Sequence, residues 1–459
     1  MKVLICGAGQ VGHNIARYLA AEKTNDITVI DQRPELIRKI QDTLDVKAVV
    51  GHASHPDVLE QAGARDADML IAVTYADEVN MVACQVAHSL FNVPTKIARV
   101  RNQSYLDPVW GTLFCREHLP IDVIISPEIE VARAVIRRLK VPGATDIIPL
   151  ADNKVQLIGV RCHEQTPVVN TPLRQLSALF PDLQLVVIGI VRDDVAIVPA
   201  SEDQMLPGDQ VYFVVSTAHV ARAMEAFGQV TGDTRRVLIL GGGNIGQFLA
   251  QSLEKNHPQI SAKLIEVNKE RAEAVARGLN RTVVLNGDVL DLDLLQEANI
   301  GSVEAVVAVT NDDETNILAS LLAKRYGAKR AITLLNKTAY NSLVNPLSID
   351  VVVNPRSITV SNILLHVRRG RIHSVHSLHE GFGELIEADA METSPLVGKP
   401  VKDVKLPNGV VLGAVVRGDT VITPRGTTVI ETGDRVVLFA AADAVKKVEK
   451  MFSVRLEYF

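Results

Sequence analysis

Short apolar runs alternate with amphipathic stretches through the first 125 residues. Runs at Lys2–Cys6, Ile27–Asp31, Val46–Val50, Met69–Val73, Lys96–Val100 and Val123–Ser126 read as strands. Between them, Gln10–Ala21, Pro34–Asp42, Pro56–Ala62 and Asp77–Phe91 carry apolar residues at helical spacing. Repeated strand–helix alternation predicts a doubly wound parallel sheet. Ser126-Pro127-Glu128 then opens a further helix over Glu128–Leu139, with serine as cap and proline in the first turn. Its apolar residues Val131, Ala132, Val135, Ile136 and Leu139 require a partner surface, in this chain or in another subunit.

From Gly143 to Gly228 the pattern becomes short and β-rich, at Val155–Val160, Leu185–Arg192, Ala196–Val198 and Gln210–Val215. Turn signals fall at Arg192-Asp193-Asp194 and Leu206-Pro207-Gly208-Asp209, and Ala218–Phe227 reads as helix. This predicts a small α+β unit, followed by a polar linker at Gln229–Thr234.

The chain then begins again. Arg236-Val237-Leu238-Ile239-Leu240-Gly241-Gly242-Gly243-Asn244-Ile245-Gly246 repeats the opening Val3-Leu4-Ile5-Cys6-Gly7-Ala8-Gly9-Gln10-Val11-Gly12. Gly51-His52 finds a counterpart in Gly287-Asp288. Met69–Thr74 matches Ala305–Thr310, Asp77-Glu78-Val79-Asn80 matches Asp313-Glu314-Thr315-Asn316, and Ile125-Ser126-Pro127 matches Val353-Asn354-Pro355. The small unit recurs too: Thr166-Pro167-Val168 with Ser394-Pro395-Leu396, and Leu206–Val211 with Glu431–Val436. The order is A–B–A′–B′. The expected divisions are 1–125 and 235–353 for two nucleotide-binding domains, 126–142 and 354–370 for the helices that follow, 229–234 for the linker, and 143–228 and 371–459 for the small domains.

Composition narrows the class. With 459 residues, 47% hydrophobic and 22% charged, the chain is long enough for several globular domains. A net charge of −5 argues against a general nucleic-acid binder. No apolar run approaches the ~20 residues that span a bilayer, so no membrane insertion is expected. A strand starts directly at the N-terminus, so no signal peptide is expected. Cys6, Cys84, Cys115 and Cys162 form no CxxC, and three lie in apolar surroundings, which suits a reducing cytosol.

Each glycine-rich loop has the GxGxxG spacing, read here as a Rossmann-like dinucleotide site. The first glycine permits the turn, the second admits a pyrophosphate, and the third lets helix pack on strand. The new helix then presents free N–H groups and the positive end of its dipole. Asp31 and Glu266 end the next strand of each copy, where a carboxylate accepts from both ribose hydroxyls and repels a 2′-phosphate. That favours NAD (NAD+/NADH) or another adenine nucleotide over NADP. The candidate cofactor-binding residues are Gly7, Ala8, Gly9, Gln10, Val11, Gly12, Asp31, Gly51, His52, Thr74 and Arg99 in the first copy. In the second they are Gly241, Gly243, Asn244, Ile245, Gly246, Glu266, Gly287, Asp288 and Thr310. Thr74 and Thr310 end buried strands and are open to two roles, ligand contact or part of a helix start capped by Asp77 and Asp313. Arg99 and Arg101 have Leu334 and Asn336 opposite them. Arginine suits phosphate, so the first site is expected to take ATP or ADP better than the second. A subunit-interface role for these arginines stays open.

His52 and His55 flank Ala53-Ser54, and His373, His376 and His379 form HxxHxxH. Metal binding is one reading of each cluster. Nucleotide contact or capping is the other for the first, and a domain-junction segment for the second; no metal site is expected. No Ser/His/Asp or Cys/His nucleophile arrangement and no Walker A loop is present, so no catalytic residue is expected.

Together these features resemble the regulatory subunits of Trk-type potassium uptake systems, which carry tandem RCK (KTN) domains. The similarity lies in the A–B–A′–B′ order, in Gly51–Leu59 and Asp66–Thr74, and in Asp77-Glu78-Val79-Asn80-Met81. The resemblance implies RCK N-terminal domains for the A units and RCK C-terminal domains for the B units. It also implies a homo-oligomeric, tetrameric ring on the cytosolic face of a potassium-translocating membrane subunit, with NAD(H), ATP and ADP as ligands that reshape the ring. The competing readings are an NAD-dependent oxidoreductase, for which no acid–base pair recurs in the B units, and a free-standing nucleotide or redox sensor.

Overall fold

The computed structural model describes residues 1–20, 25–180, 183–229, 234–340, 347, 349–367, 372–378 and 382–452. The chain divides into two compact units. One comprises Met1–Ala132 with Asn354–Val367, and the other Arg133–Val353 with Arg368–Phe459.

In the first unit, strands β1 (Lys2–Cys6), β2 (Asp26–Asp31), β3 (Lys47–Val50), β4 (Met69–Ala72), β5 (Thr95–Arg99) and β6 (Val123–Ile125) form one sheet. Its order is β3-β2-β1-β4-β5-β6, and every pairing is parallel. Helices α1 (Gln10–Ala20), α2 (Pro34–Thr43), α3 (Pro56–Gln61) and α4 (Asp77–Phe91) connect them. Both faces of β1 are covered, which explains its unbroken apolar run. Leu4 and Cys6 pack with Ala83, Cys84 and Ala87 of α4. Val3 and Ile5 face the opposite way, towards Ile15, Ala16 and Leu19 of α1. The strand order reverses between β1 and β4, so a crevice opens there at the carboxyl ends of the strands.

Helix α5 (Pro127–Lys140) follows β6. Its stripe Val131, Ala132, Val135, Ile136 and Leu139 is at most 8% exposed, so the chain itself supplies the surface it needs.

In the second unit, β7 (Ala144–Leu150), β8 (Val155–Arg161), β9 (Leu185–Arg192), β10 (Val195–Ile197) and β11 (Gln210–Ser216) form an antiparallel sheet, ordered β10-β9-β11-β8-β7. Helices α6 (Leu173–Leu179) and α7 (Val220–Ala226) accompany it. The sequence pattern missed β7 and α6. Edge strand β7 contains Pro149 and a register shift between Ala144 and Asp146, which break the alternation. The expected linker falls largely at 230–233, outside the described residues.

A second parallel sheet follows: β12 (Arg236–Leu240), β13 (Ser261–Glu266), β14 (Val283–Asn286), β15 (Ala305–Ala308), β16 (Ala331–Leu334) and β17 (Val351–Val353). Helices α8 (Asn244–Asn256), α9 (Lys269–Arg277), α10 (Leu292–Glu297) and α11 (Asp313–Arg325) link them. Its order, β14-β13-β12-β15-β16-β17, repeats that of the first sheet. Helix α12 (Pro355–Val367) comes next and belongs to the first unit, where Val360, Ile363, Leu364 and Val367 join the core formed by Ile15, Ala16 and Leu19. Positions 368–370 of the expected helix lie outside the described residues.

The last sheet, β18 (Ile372–Leu378), β19 (Gly383–Asp389), β20 (Val410–Arg417), β21 (Thr420–Ile422) and β22 (Arg435–Ala441), has the order β18-β19-β22-β20-β21 and is followed by α13 (Val445–Phe452). It packs on the first antiparallel sheet through a shared core that includes Leu157, Ile188, Val214, Leu385, Val437 and Phe439. The repeated Gly-Asp turns have a structural duty. Arg192 grips Asp209 with two hydrogen bonds of 2.8 Å, and Arg417 grips Asp434 at 2.9 and 2.8 Å. Among the described residues no helix is long and apolar enough to cross a membrane.

Candidate functional site

Gly7 adopts φ +110° and Gly241 φ +112°, a left-handed conformation that side chains disfavour. A Cβ on Gly12 would stand 1.8 Å from the Gly7 carbonyl oxygen, and one on Gly246 1.9 Å from that of Gly241. Third glycines are therefore demanded by the turn's own packing. Second glycines are not: a Cβ on Gly9 or Gly243 would meet nothing within 4 Å. The space above them is open to a ligand, and the first turns of α1 (Gln10, Val11) and α8 (Asn244, Ile245) start directly after it.

Both acidic strand ends turn into these loops. Asp31 Oδ2 accepts the Ala8 amide at 2.7 Å and Oδ1 the Arg33 amide at 2.9 Å. Glu266 Oε2 accepts the Gly242 amide at 2.6 Å and Oε1 that of Asn268 at 2.9 Å. A Cβ on Gly242 would lie 3.0 Å from the Glu266 side chain, so the longer acid is matched by a glycine where the first copy has Ala8. The spare lone pairs of each carboxylate suit ribose hydroxyls.

Gly51 and Gly287 donate to the carbonyls of Asp31 and Glu266 at 3.0 and 3.1 Å. Here glycine is a packing requirement, because a Cβ would come within 2.7 Å of Val58 or Leu294. His52 Nδ1 sits 2.8 Å from Ser54 Oγ, and its ring lies 4.8 Å from that of His55. Asp288 accepts the Leu290 amide at 2.9 Å, while Asp291 caps α10.

Across the crevice, a Cβ on Gly7 would be 3.0 Å from the Thr74 amide, and one on Gly241 3.0 Å from that of Thr310. Asn80 Oδ1 accepts from Thr74 N (2.8 Å) and Oγ1 (2.7 Å), while Nδ2 donates to the Arg99 carbonyl at 2.9 Å. Asn316 does the same for Thr310 and the Leu334 carbonyl. Asp77 receives the Arg101 and Asn102 amides at 2.8 Å; Asp313 receives those of Asn336 and Lys337. These residues are staples between adjacent strand ends. Asp77 and Asp313 do not cap their helices; the cap positions are Ala76 and Asp312.

Arg99 Nη2 donates to the Thr74 carbonyl at 2.7 Å, yet its buried Nε finds no hydrogen-bond partner among the described residues. Burial, then the neighbouring Arg101, hold its pKa below the ordinary arginine value. An incompletely satisfied cation at the crevice suits an anionic ligand. Arg101 instead turns to Glu128, Nε to Oε1 2.7 Å. Leu334 is 3% exposed and Asn336 donates to Asp313. Sequence reasoning missed two further arginines. Arg271 of α9 donates to the Gly242 carbonyl (2.9 Å) and to Gln247 Oε1 (2.9 Å), and Arg356 of α12 to Gln10 Oε1 (2.9 Å). Arg271 falls opposite Leu36 in the repeat, so an alignment of the two α2/α9 segments would have exposed it. The second loop thus has a cation of its own.

Among the described residues no three His, Cys, Asp or Glu side chains could hold a metal ion together. His373 of β18 pairs with Asp389 of β19 (Nε2–Oδ2 2.8 Å), and His379 lies outside the described residues.

These geometries define a class: two Rossmann-like parallel-sheet domains with glycine-rich loops, each followed by a small antiparallel domain, on one chain. The TrkA-N domain model matches residues 3–127 and 237–355, and the TrkA-C domain model residues 157–228 and 385–453. The chain belongs to the TrkA family. It is 53% identical to the Trk system potassium uptake protein TrkA of Azorhizobium caulinodans and 43% identical to that of Halomonas elongata, in each case over 100% of both chains. It is also 43% identical to that of Vibrio alginolyticus over 98% of both. Among solved structures it has the fold of the GsuK RCK domain (TM-score 0.59, 20% identity, 99% of this chain and 95% of that one). The GsuK channel bound to NAD gives TM-score 0.59 at 20% identity, over 99% of this chain and 79% of that one.

Proposed function

We propose that this chain is a cytosolic regulatory subunit that gates potassium uptake through a Trk-type membrane subunit, in response to NAD(H), ATP and ADP. The observation that carries the reading is the duplicated loop: open space above Gly9 and Gly243, with Asp31 and Glu266 locked against the neighbouring amides. The names of the full-length relatives supply the transport context. The residues given for each site in the sequence reading are the proposed ligand contacts, with Arg99 taking phosphate. Asn80 and Asn316 position the crevice. The subunit acts from the inner face of the membrane as a tetrameric ring of its nucleotide-binding domains, and carries out no catalytic step.

Ligands work here by differential affinity. A nucleotide shifts the ring only as far as it binds one ring state better than the other. Potassium flux through the reconstituted membrane subunit, measured with this chain and ATP, ADP, NADH or no ligand, tests the proposal. Flux is expected to depend on the ligand. Flux insensitive to all of them defeats the gating reading.

A further inference from the structure

We propose that Arg356 is a pyrophosphate ligand of the first glycine loop, contributed to that site by the second half of the chain. The inference rests on the nucleotide reading above and adds a residue that the loop's own sequence does not contain.

Helix α12 is held on α1 by a stripe spaced i, i+3, i+4 and i+7: Val360, Ile363, Leu364 and Val367, buried with Ile15, Ala16 and Leu19. Arg356 precedes Val360 by one helical turn and so continues the same face. Asn354 fixes the start of the helix by accepting the Arg356 and Ser357 amides at 2.9 and 3.2 Å. The outcome is a guanidinium placed at the first residue of α1, with Nη1 donating to Gln10 Oε1 at 2.9 Å. Gln10 directly follows Gly9, whose outer side is open. The unsatisfied amides of that first turn are where a pyrophosphate settles.

The amide oxygen of Gln10 is a neutral acceptor. A phosphate oxygen carries a full charge, and a phosphate can take two N–H groups of one guanidinium in parallel, as a single amide oxygen cannot. A bound pyrophosphate therefore joins Gln10 among the partners of Arg356. The repeat sharpens the point. The position matching Arg356 in the first half is Glu128, which faces Arg101. Opposite charges at one repeat position mean that the arginine is not a generic feature of these helices.

ADP binding to the full-length chain, in a Gly243→Ala background that closes the second loop, tests the proposal by calorimetry and thermal melting. Arg356→Gln is expected to weaken ADP by about tenfold or more while its ligand-free melting temperature stays unchanged, and Arg356→Lys is expected to recover part of the affinity. ADP affinity in Arg356→Gln equal to the parent's overturns the proposal. So does an affinity loss accompanied by a lowered ligand-free melting temperature, which marks a purely structural contact. If the unsubstituted chain binds no ADP, ATP or NADH, the nucleotide reading itself fails, and this inference fails with it.

Discussion

The carboxylate of Asp31 accepts the Ala8 amide at 2.7 Å, so the residue suited to a ribose also fastens the loop suited to a pyrophosphate. Glu266 repeats the arrangement on Gly242 at 2.6 Å. Each loop is thus set in shape by a side chain from the next strand. Asp31→Ala removes a ribose acceptor and leaves a part-buried amide unpaired, a loss of about 1–3 kcal/mol. Chemical denaturation is expected to show that loss, and calorimetry a weakened first site with the second unchanged. A first site that binds ADP as before disproves the dual role.

The glycines of one loop should separate by assay. Gly9→Ala meets no protein atom within 4 Å, whereas a Cβ on Gly12 stands 1.8 Å from a backbone oxygen. Gly9→Ala is expected to melt like the parent and lose ADP affinity at the first site. Gly12→Ala is expected to lower the melting temperature, because the neighbour that must move is backbone. Unaltered ADP binding by Gly9→Ala is the result that counts against a pyrophosphate there.

The first sheet was legible because its strands are buried on both faces and its turns are glycine-marked; α4 was expected and found at Asp77–Phe91. The small domains were only partly legible. Strand β7 hides behind Pro149 and a register shift. In the candidate site, spacing alone located Asp31 and Glu266. It could not tell glycines needed by packing (Gly12, Gly51) from those left open (Gly9), since both read as Gly. Nor could it find Arg356, which reaches Gln10 from 346 residues away. The Thr-x-x-Asp-Glu-x-Asn segments were visible as repeats, but their work as staples lies in contacts to the next strand.

Asp434 is 2% exposed on its side chain and leans on Arg417 for two of its hydrogen bonds. Arg417→Met leaves that carboxylate buried without its cation. Because the guanidinium is itself 37% exposed, solvent screens the pairing, and the expected loss is smaller than for a fully buried pair. Urea denaturation measures it. Arg192→Met should behave alike through Asp209, since the two clamps share their geometry. A loss in one variant and none in the other contradicts that equivalence.

His376 lies partly buried on β18, and burial, with the charge of Arg137 adding to it, pushes its pKa well below the ordinary 6.5. Above about pH 6.5 the imidazole is neutral folded or unfolded and contributes nothing to the pH dependence. As the pH falls below that value the unfolded chain takes up the proton first, so the native state loses stability until its own lower pKa is passed. Urea midpoints of the parent should therefore fall between pH 6.5 and 5 more steeply than those of His376→Gln. Parallel pH profiles for the two chains would show that this histidine is not held neutral by the fold.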